Sequence, residues 1–148
     1  MTERWRAVFD TNIYLSAALS QNERSPSREL LARLAQAQFD LLTCQVLLDE
    51  LIEKLTERGL AAEAVAGFAA SIISLSETID IPAEAIEAVI AKDPDDDIVL
   101  ACAVLGQANV IATYDRHFDV LGGMYRGIPI MTGLAFLQKL RESLQSES

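Results

Sequence analysis

A crowded run of aspartates is the first candidate for a reactive site in this sequence. Lys92–Ala103 reads K-D-P-D-D-D-I-V-L-A-C-A and holds four aspartates within five positions: Asp93, Asp95, Asp96 and Asp97. Carboxylates this close repel one another, and each raises the pKa of its neighbours unless a cation lies among them. Pro94 suits the first turn of a helix, where acidic residues are also favoured. The stretch is therefore either a capped helix start or part of a site for a hard divalent cation.

Two further aspartates follow segments that are typical of buried strands. Asp10 ends W-R-A-V-F, and Asp115 comes just after N-V-I-A-T. In open parallel α/β sheets ligands bind at the carboxyl ends of the strands, so we expect both carboxylates at one edge. Asp97 lies at the start of a predicted helix that enters from that edge. Glu50 lies near the apolar stripe of its own helix and can point to the same place. Taken singly, Asp10 could be a helix cap and Glu50 a boundary residue.

Four carboxylates from four distant segments favour metal chemistry at this edge. Hard oxygen ligands suit Mg²⁺ or Mn²⁺, which keep water ligands and bind substrate phosphates. Such ions lower the pKa of an attacking water and stabilise charge on phosphate oxygens. The residues therefore indicate metal-assisted hydrolysis of a phosphodiester.

The predicted secondary structure around these residues alternates between strand and helix. The predicted strands are Trp5–Phe9, Phe39–Thr43, Glu77–Ile81, Asn109–Thr113 and Ile128–Met131. The predicted helices are Asp10–Leu19 (capped by Thr11 or Asn12), Ser27–Gln38, Cys44–Arg58, Leu60–Leu75, Pro82–Ala91, Asp95–Gln107 and Thr132–Leu144, and Gly122–Gly127 is predicted as a loop. This alternation predicts a parallel sheet with helices on both faces.

Length and composition set the outer bounds. With 148 residues, 51% hydrophobic and 23% charged, the chain is expected to form a single globular domain, 1–148. It shows no signal-peptide pattern and no apolar run of the roughly 20 residues that a membrane span needs, which predicts a cytoplasmic protein. Cys44 and Cys102 lie in apolar helical pattern and are predicted to be buried free thiols. The net charge of −10 argues against broad binding to nucleic-acid backbone without metal ions.

Four segments in order resemble the PIN domain family (named for the PilT N-terminus), particularly its stand-alone bacterial toxin-like members. They are V-F-D-T-N-I-Y-L-S at Val8–Ser16, L-L-D-E-L at Leu47–Leu51, D-P-D-D-D-I-V-L-A-C-A at Asp93–Ala103 and I-A-T-Y-D-R-H-F at Ile111–Phe118. The closing G-I-P-I-M-T at Gly127–Thr132 also fits. The resemblance implies a three-layer α/β/α fold with a central, mostly parallel sheet. It further implies an Mg²⁺- or Mn²⁺-dependent endoribonuclease acting on RNA, often a toxin paired with an antitoxin protein and often a homodimer.

The resemblance also implies which residues form the site. The catalytic and metal-binding set carried over by position is Asp10, Glu50, Asp97 and Asp115, with Thr11, Asn12, Asp96 and Thr113 as residues that could orient the ligands. Asp97 is chosen over its neighbours because the pattern D-x-x-L-A places it three residues before Leu100. His117 could be a general base, but a structural role is the favoured interpretation. Asp119 could be an extra metal ligand, but helix capping or solvent exposure explains it as well.

Other function classes remain to be weighed against a ribonuclease. A catalytically silent PIN-like module, serving as a protein-binding or RNA-binding scaffold, would predict a broken acidic set, and the set here is complete. A phosphoryl-transfer enzyme with Asp10 as nucleophile would need a second Asp at position 12, which is Asn, or a lysine near the last strand, and none lies between Lys92 and Lys139. No glycine-rich phosphate loop is present.

Overall fold

A six-stranded sheet with helices on both faces forms the framework of the computed structural model, which describes residues 4–90 and 94–146. The strands are β1 Arg6–Phe9, β2 Asp40–Thr43, β3 Ser76–Thr78, β4 Val110–Ala112, β5 Met124–Tyr125 and β6 Ile128–Met131. The helices are α1 Thr11–Leu19, α2 Pro26–Ala35, α3 Gln45–Glu57, α4 Ala62–Leu75, α5 Pro94–Leu105 and α6 Gly133–Ser146, with short 3-10 turns at Ala83–Ala85 and Arg116–Leu121. Asp93, expected in a loop, lies outside the described residues.

The sheet is mostly parallel, as predicted, with strand order β3-β2-β1-β4-β6-β5. In the central strand β1, Val8 stands opposite Leu42 of β2 and Ile111 of β4, and both pairings are parallel. Among the described strands, β5 alone runs antiparallel, against β6 at the edge. Because β1 and β4 are parallel neighbours, the residues that follow their carboxyl ends emerge side by side.

Alternating side chains of β1 serve two separate cores, as the period of a strand requires. Ala7 and Phe9 join buried residues of α1, α2, α3, α4 and α6 on one face. Val8 joins buried residues of α5 and the 3-10 turn at Arg116–Leu121 on the other. The predicted three-layer α/β/α architecture is therefore confirmed, and the two cores fix the helices that carry the acidic side chains.

Three local predictions were wrong. The segment Pro82–Ala91, as far as it is described, contains only the turn at Ala83–Ala85 and no α-helix. The backbone N–H groups of Val89 and Ile90, near the end of this segment, donate instead to Asp97 Oδ1 at 3.0 and 2.7 Å. An amide that donates to a side-chain carboxylate does not close a helical turn with a backbone carbonyl.

The predicted loop Gly122–Gly127 contains the strand β5. Arg126 and Gly127 both have positive φ, at 48° and 80°, and form a two-residue connection between Tyr125 and its partner Ile128. Such a turn matches the twist of an antiparallel hairpin. The third error is the cap of α1, which is Asp10 itself rather than Thr11 or Asn12.

Both cysteines are buried free thiols, as predicted. Cys44 stands at the N-cap of α3 and Cys102 lies within α5. Among the described helices, none is long and apolar enough to cross a membrane.

Candidate metal centre

The site forms where the two central parallel strands end. Asp10 directly follows β1, and Thr113 directly follows β4 with Asp115 two residues later. Glu50 comes from the middle of α3, and Asp96 from the first turn of α5. The sheet thus places the first three residues, while the two helices bring in the other carboxylates from either side.

Asp10 is only 6% exposed and accepts hydrogen bonds on both of its carboxylate oxygens. Thr113 Oγ1 donates to its Oδ2 at 2.8 Å, and Asn12 Nδ2 donates to the same oxygen at 3.2 Å. The backbone N–H of Thr11 donates to Oδ1 at 2.8 Å. Burial raises the pKa of Asp10, the bonds from Thr113 and Thr11 oppose that rise, and the charge of Asp115 adds to it. The carboxylate is therefore held in a fixed orientation but is costly to charge without a nearby cation.

Thr113 links Asp10 to the remaining donors. Its hydroxyl accepts the backbone N–H of Asp115 at 2.9 Å, and Asp115 Oδ1 accepts the backbone N–H of His117 at 2.9 Å. The ring atom His117 Nδ1 then lies 3.0 Å from Asp96 Oδ2 and 3.4 Å from Asp115 Oδ1. One donor atom from each of Asp96, Asp115 and His117 lies within 4.8 Å of the others.

Glu50 joins the other end of this network. Thr11 Oγ1 lies 3.4 Å from Glu50 Oε1. Glu50 Oε1 also forms an ion pair with Lys54 Nζ at 2.6 Å. Burial raises the pKa of Glu50, Lys54 lowers it, and the charges of Asp95 and Asp10 raise it again. Lys54 also lowers the pKa of Asp10. This lysine, which the sequence did not single out, is therefore a cation inside the acidic site, one helical turn after Glu50.

Asp97 lies apart from this network. Its Oδ1 accepts the N–H groups of Val89 and Ile90 and so fixes the chain segment that precedes α5. Asp96, expected only to orient ligands, instead faces His117 and Asp115. Asp119 is exposed and is not part of the cluster. Of the carried-over set, the structure brings Asp10, Glu50 and Asp115 together, and Asp96 rather than Asp97 completes the group.

His117 is the second residue that sequence reasoning placed in a lesser role. The signal was present in D-R-H, because a residue two positions after a strand-end aspartate can turn back beside it. What the sequence could not show is that Asp96, from a distant helix, approaches the same ring nitrogen, Nδ1, as Asp115.

The donor set fits a divalent cation. Carboxylates from four segments converge, and two of them, Asp10 and Glu50, have pKa values raised by burial, which a positive charge among them would reverse. Asp10 and Asp96 are buried, whereas Asp115 and His117 are partly exposed, so one side of the site is open to solvent. Hard oxygen ligands beside an open side are what a metal ion needs in order to bind water or a phosphate.

Comparison with solved structures shows the same fold elsewhere. One match is the crystal structure of VapBC2 from Rickettsia felis bound to a DNA fragment from their promoter, with a TM-score of 0.60 and 16% identity. The match covers 84% of this chain and 96% of that chain. At this level of identity the likeness concerns the fold alone. No curated protein matches this chain.

The sequence profile of the PIN domain matches residues 6–117. The matched range begins at the first strand, contains the whole hydrogen-bonded network described above, and ends at His117. It leaves out the β5–β6 hairpin and α6. The chain therefore belongs to the PIN domain family.

Proposed function

We propose that this protein is a metal-dependent endoribonuclease that hydrolyses RNA phosphodiester bonds at the carboxyl edge of its sheet. The observation that carries the proposal is the continuous network from Glu50 through Asp10 and Asp115 to Asp96, which is costly to build without a cation. Membership of the PIN domain family supports the same reaction class.

Each residue has a role in this proposal. Asp10, Glu50, Asp96 and Asp115 would hold Mg²⁺ or Mn²⁺, with Asp96 taking the place that the sequence pattern gave to Asp97. A bound ion of this kind supplies a water of lowered pKa and stabilises charge on phosphate oxygens. Thr113, Thr11 and Asn12 orient the Asp10 carboxylate through the hydrogen bonds that they donate to it.

The charge distribution supports recruitment of RNA through bound metal. Of the arginines near the N-terminus, Arg4 pairs with Asp40 and Arg33 with Glu29, so both guanidinium groups are already engaged by carboxylates. Arg116 is exposed directly beside Asp115 and is available for phosphate contact. With a net charge of −10, RNA affinity should therefore depend on the metal ions and on a few local arginines.

We further propose that 1–148 acts as one domain, in the cytoplasm, as a homodimer and as the toxin of a toxin–antitoxin pair. The sequence resemblance to toxin-like PIN members supports these points. The fold shared with VapBC2, which was crystallised on promoter DNA, supports an antitoxin protein as partner. The alternative is a silent PIN-like scaffold, which the intact acidic network disfavours.

The test compares two aspartates that lie four residues apart on the same surface. Asp115→Asn alters the network, whereas Asp119→Asn changes an exposed carboxylate outside it by the same chemistry. On a panel of single-stranded and structured RNAs with Mn²⁺, we expect wild type and Asp119→Asn to cleave and Asp115→Asn to lose at least about 100-fold in rate. If wild type binds Mn²⁺ but cuts none of the RNAs in the panel, the scaffold alternative replaces the enzyme.

A further inference from the structure

The group formed by Asp96, Asp115 and His117 differs from the rest of the site because one of its donors is a nitrogen. We propose that His117 Nδ1 is a direct metal ligand and that this three-residue group binds a divalent first-row transition ion, such as Mn²⁺, in preference to Mg²⁺. The inference rests on the proposed metal dependence and adds to it the identity of one ligand and the class of ion.

The spacing of the donor atoms fits neighbouring positions around an ion. With metal–ligand bonds of about 2.1 Å at right angles, adjacent ligand atoms stand about 3 Å apart. The observed separations are 3.0 Å from His117 Nδ1 to Asp96 Oδ2 and 3.4 Å to Asp115 Oδ1. The carboxylate oxygens of Asp96 and Asp115 lie within 4.8 Å of each other, so the three atoms could share one ion after a small rearrangement.

The exposed fractions of the three side chains also fit a shared metal ion. The side chain of Asp96 is 5% exposed, while those of Asp115 and His117 are 28% and 37% exposed. One ligand is thus anchored in the protein, and the other two border solvent, from which an ion and its remaining water ligands can enter. The competing interpretation is a hydrogen bond in which Nδ1–H donates to Asp96, and it requires the opposite placement of the ring proton.

The imidazole nitrogen favours a transition ion over Mg²⁺ at this group. Mg²⁺ prefers oxygen ligands and loses water reluctantly, whereas imidazole suits transition ions. A site with two carboxylates and one imidazole should therefore favour Mn²⁺ over Mg²⁺. The substitution His117→Asp would make the group all-oxygen and reduce that preference.

The experiment uses the fact that His117 is the sole histidine of the chain, so in untagged protein any imidazole signal reports this residue. Mn²⁺ is added to the full-length protein, and pulsed electron paramagnetic resonance detects nitrogen coupled to the bound ion. We expect a strong coupling that changes when histidine is labelled with the heavy nitrogen isotope. His117→Asn should abolish it, while the neighbouring charge variant Arg116→Gln should retain it.

Calorimetric titration with Mn²⁺ and Mg²⁺ gives the second readout. We expect His117→Asp to lower the ratio of Mn²⁺ to Mg²⁺ affinity by about 10-fold or more, and Arg116→Gln to leave the ratio unchanged. Bound Mn²⁺ without imidazole coupling, or an unchanged ratio in His117→Asp, would overturn the inference even if RNA is cleaved. Coupling without RNA cleavage would uphold the inference while the proposed function fails, and no Mn²⁺ binding at all would overturn both.

Discussion

Asp10 is a buried, hydrogen-bonded carboxylate, and keeping it charged carries a thermodynamic cost in the metal-free protein. Burial raises its pKa above the ordinary value of 3.8, so the folded state holds this proton more tightly than the unfolded state. For a carboxyl shifted upward, the stability contribution is present at low pH and is lost as pH rises through the folded pKa. Glu50, whose pKa burial also raises, acts in the same direction.

We therefore predict that, in EDTA, charging Asp10 makes the free energy of unfolding fall as pH rises from about 4 to about 7. Asp10→Asn should show a shallower dependence because the titrating group is gone. Urea unfolding across this pH range measures both slopes. The exposed helix residue Asp49, changed to Asn, serves as control and should keep the wild-type slope. Equal slopes in wild type and Asp10→Asn would contradict the assigned cost.

For Asp97 we predict an effect on folding stability, because its hydrogen-bond partners are backbone amides. Asp97→Ala leaves the N–H groups of Val89 and Ile90 without their acceptor, and we expect a loss of about 1–3 kcal/mol in the free energy of unfolding. Asp97→Asn keeps an oxygen acceptor and should lose less. Unchanged stability in Asp97→Ala together with loss of Mn²⁺ binding would show that Asp97, and not Asp96, is the ligand.

At the scale of elements, the position of Asp96 depends on how closely α5 and the residue after it approach the sheet. A Cβ added at Gly106 would lie 2.8 Å from Leu42 Cδ1 and 2.9 Å from the backbone oxygen of Cys102. The second of these neighbours is main chain and cannot move aside cheaply. Glycine is therefore required where α5 ends against β2, and this contact helps to fix the helix that carries Asp96.

Gly106→Ala should accordingly destabilise the protein by about 1–3 kcal/mol through overpacking. The matched control is Gly67→Ala in the middle of α4, where an added Cβ meets nothing within 4 Å. There alanine should stabilise by up to about 1 kcal/mol through helix propensity. Thermal and urea unfolding of the two variants give opposite signs if the packing is as described, whereas a neutral Gly106→Ala would contradict the close approach.

The elements also show which parts of the site were predictable from sequence. Asp10 and Asp115 follow buried strands, so the rule for parallel sheets places them at one edge. The choice between Asp96 and Asp97 was not accessible in this way, because consecutive helix residues point about 100° apart and the rotation of α5 about its axis is set by tertiary packing. The segment before α5 was mispredicted for a related reason, since the amides of Val89 and Ile90 bind the Asp97 side chain and not a helical carbonyl oxygen.

Over the whole molecule, the proposed function requires an acidic protein to bind a polyanionic substrate. A net charge of −10 would repel RNA, yet the carboxylates that produce much of the local repulsion are the ones that would bind divalent ions. Lys54, paired with Glu50, supplies one compensating charge in the metal-free protein. Substrate binding and catalysis should therefore both require metal.

The most direct test of this account is cleavage of end-labelled RNA, with analysis of the product termini, in Mn²⁺ and in EDTA. We predict that wild type cleaves only with metal and that Asp10→Asn loses at least about 100-fold in rate. The products should lack a 2′,3′-cyclic phosphate, because water rather than the ribose hydroxyl attacks the phosphorus. Cleavage that persists in EDTA or in Asp10→Asn, or that leaves cyclic phosphate ends, would contradict metal-assisted hydrolysis by this cluster.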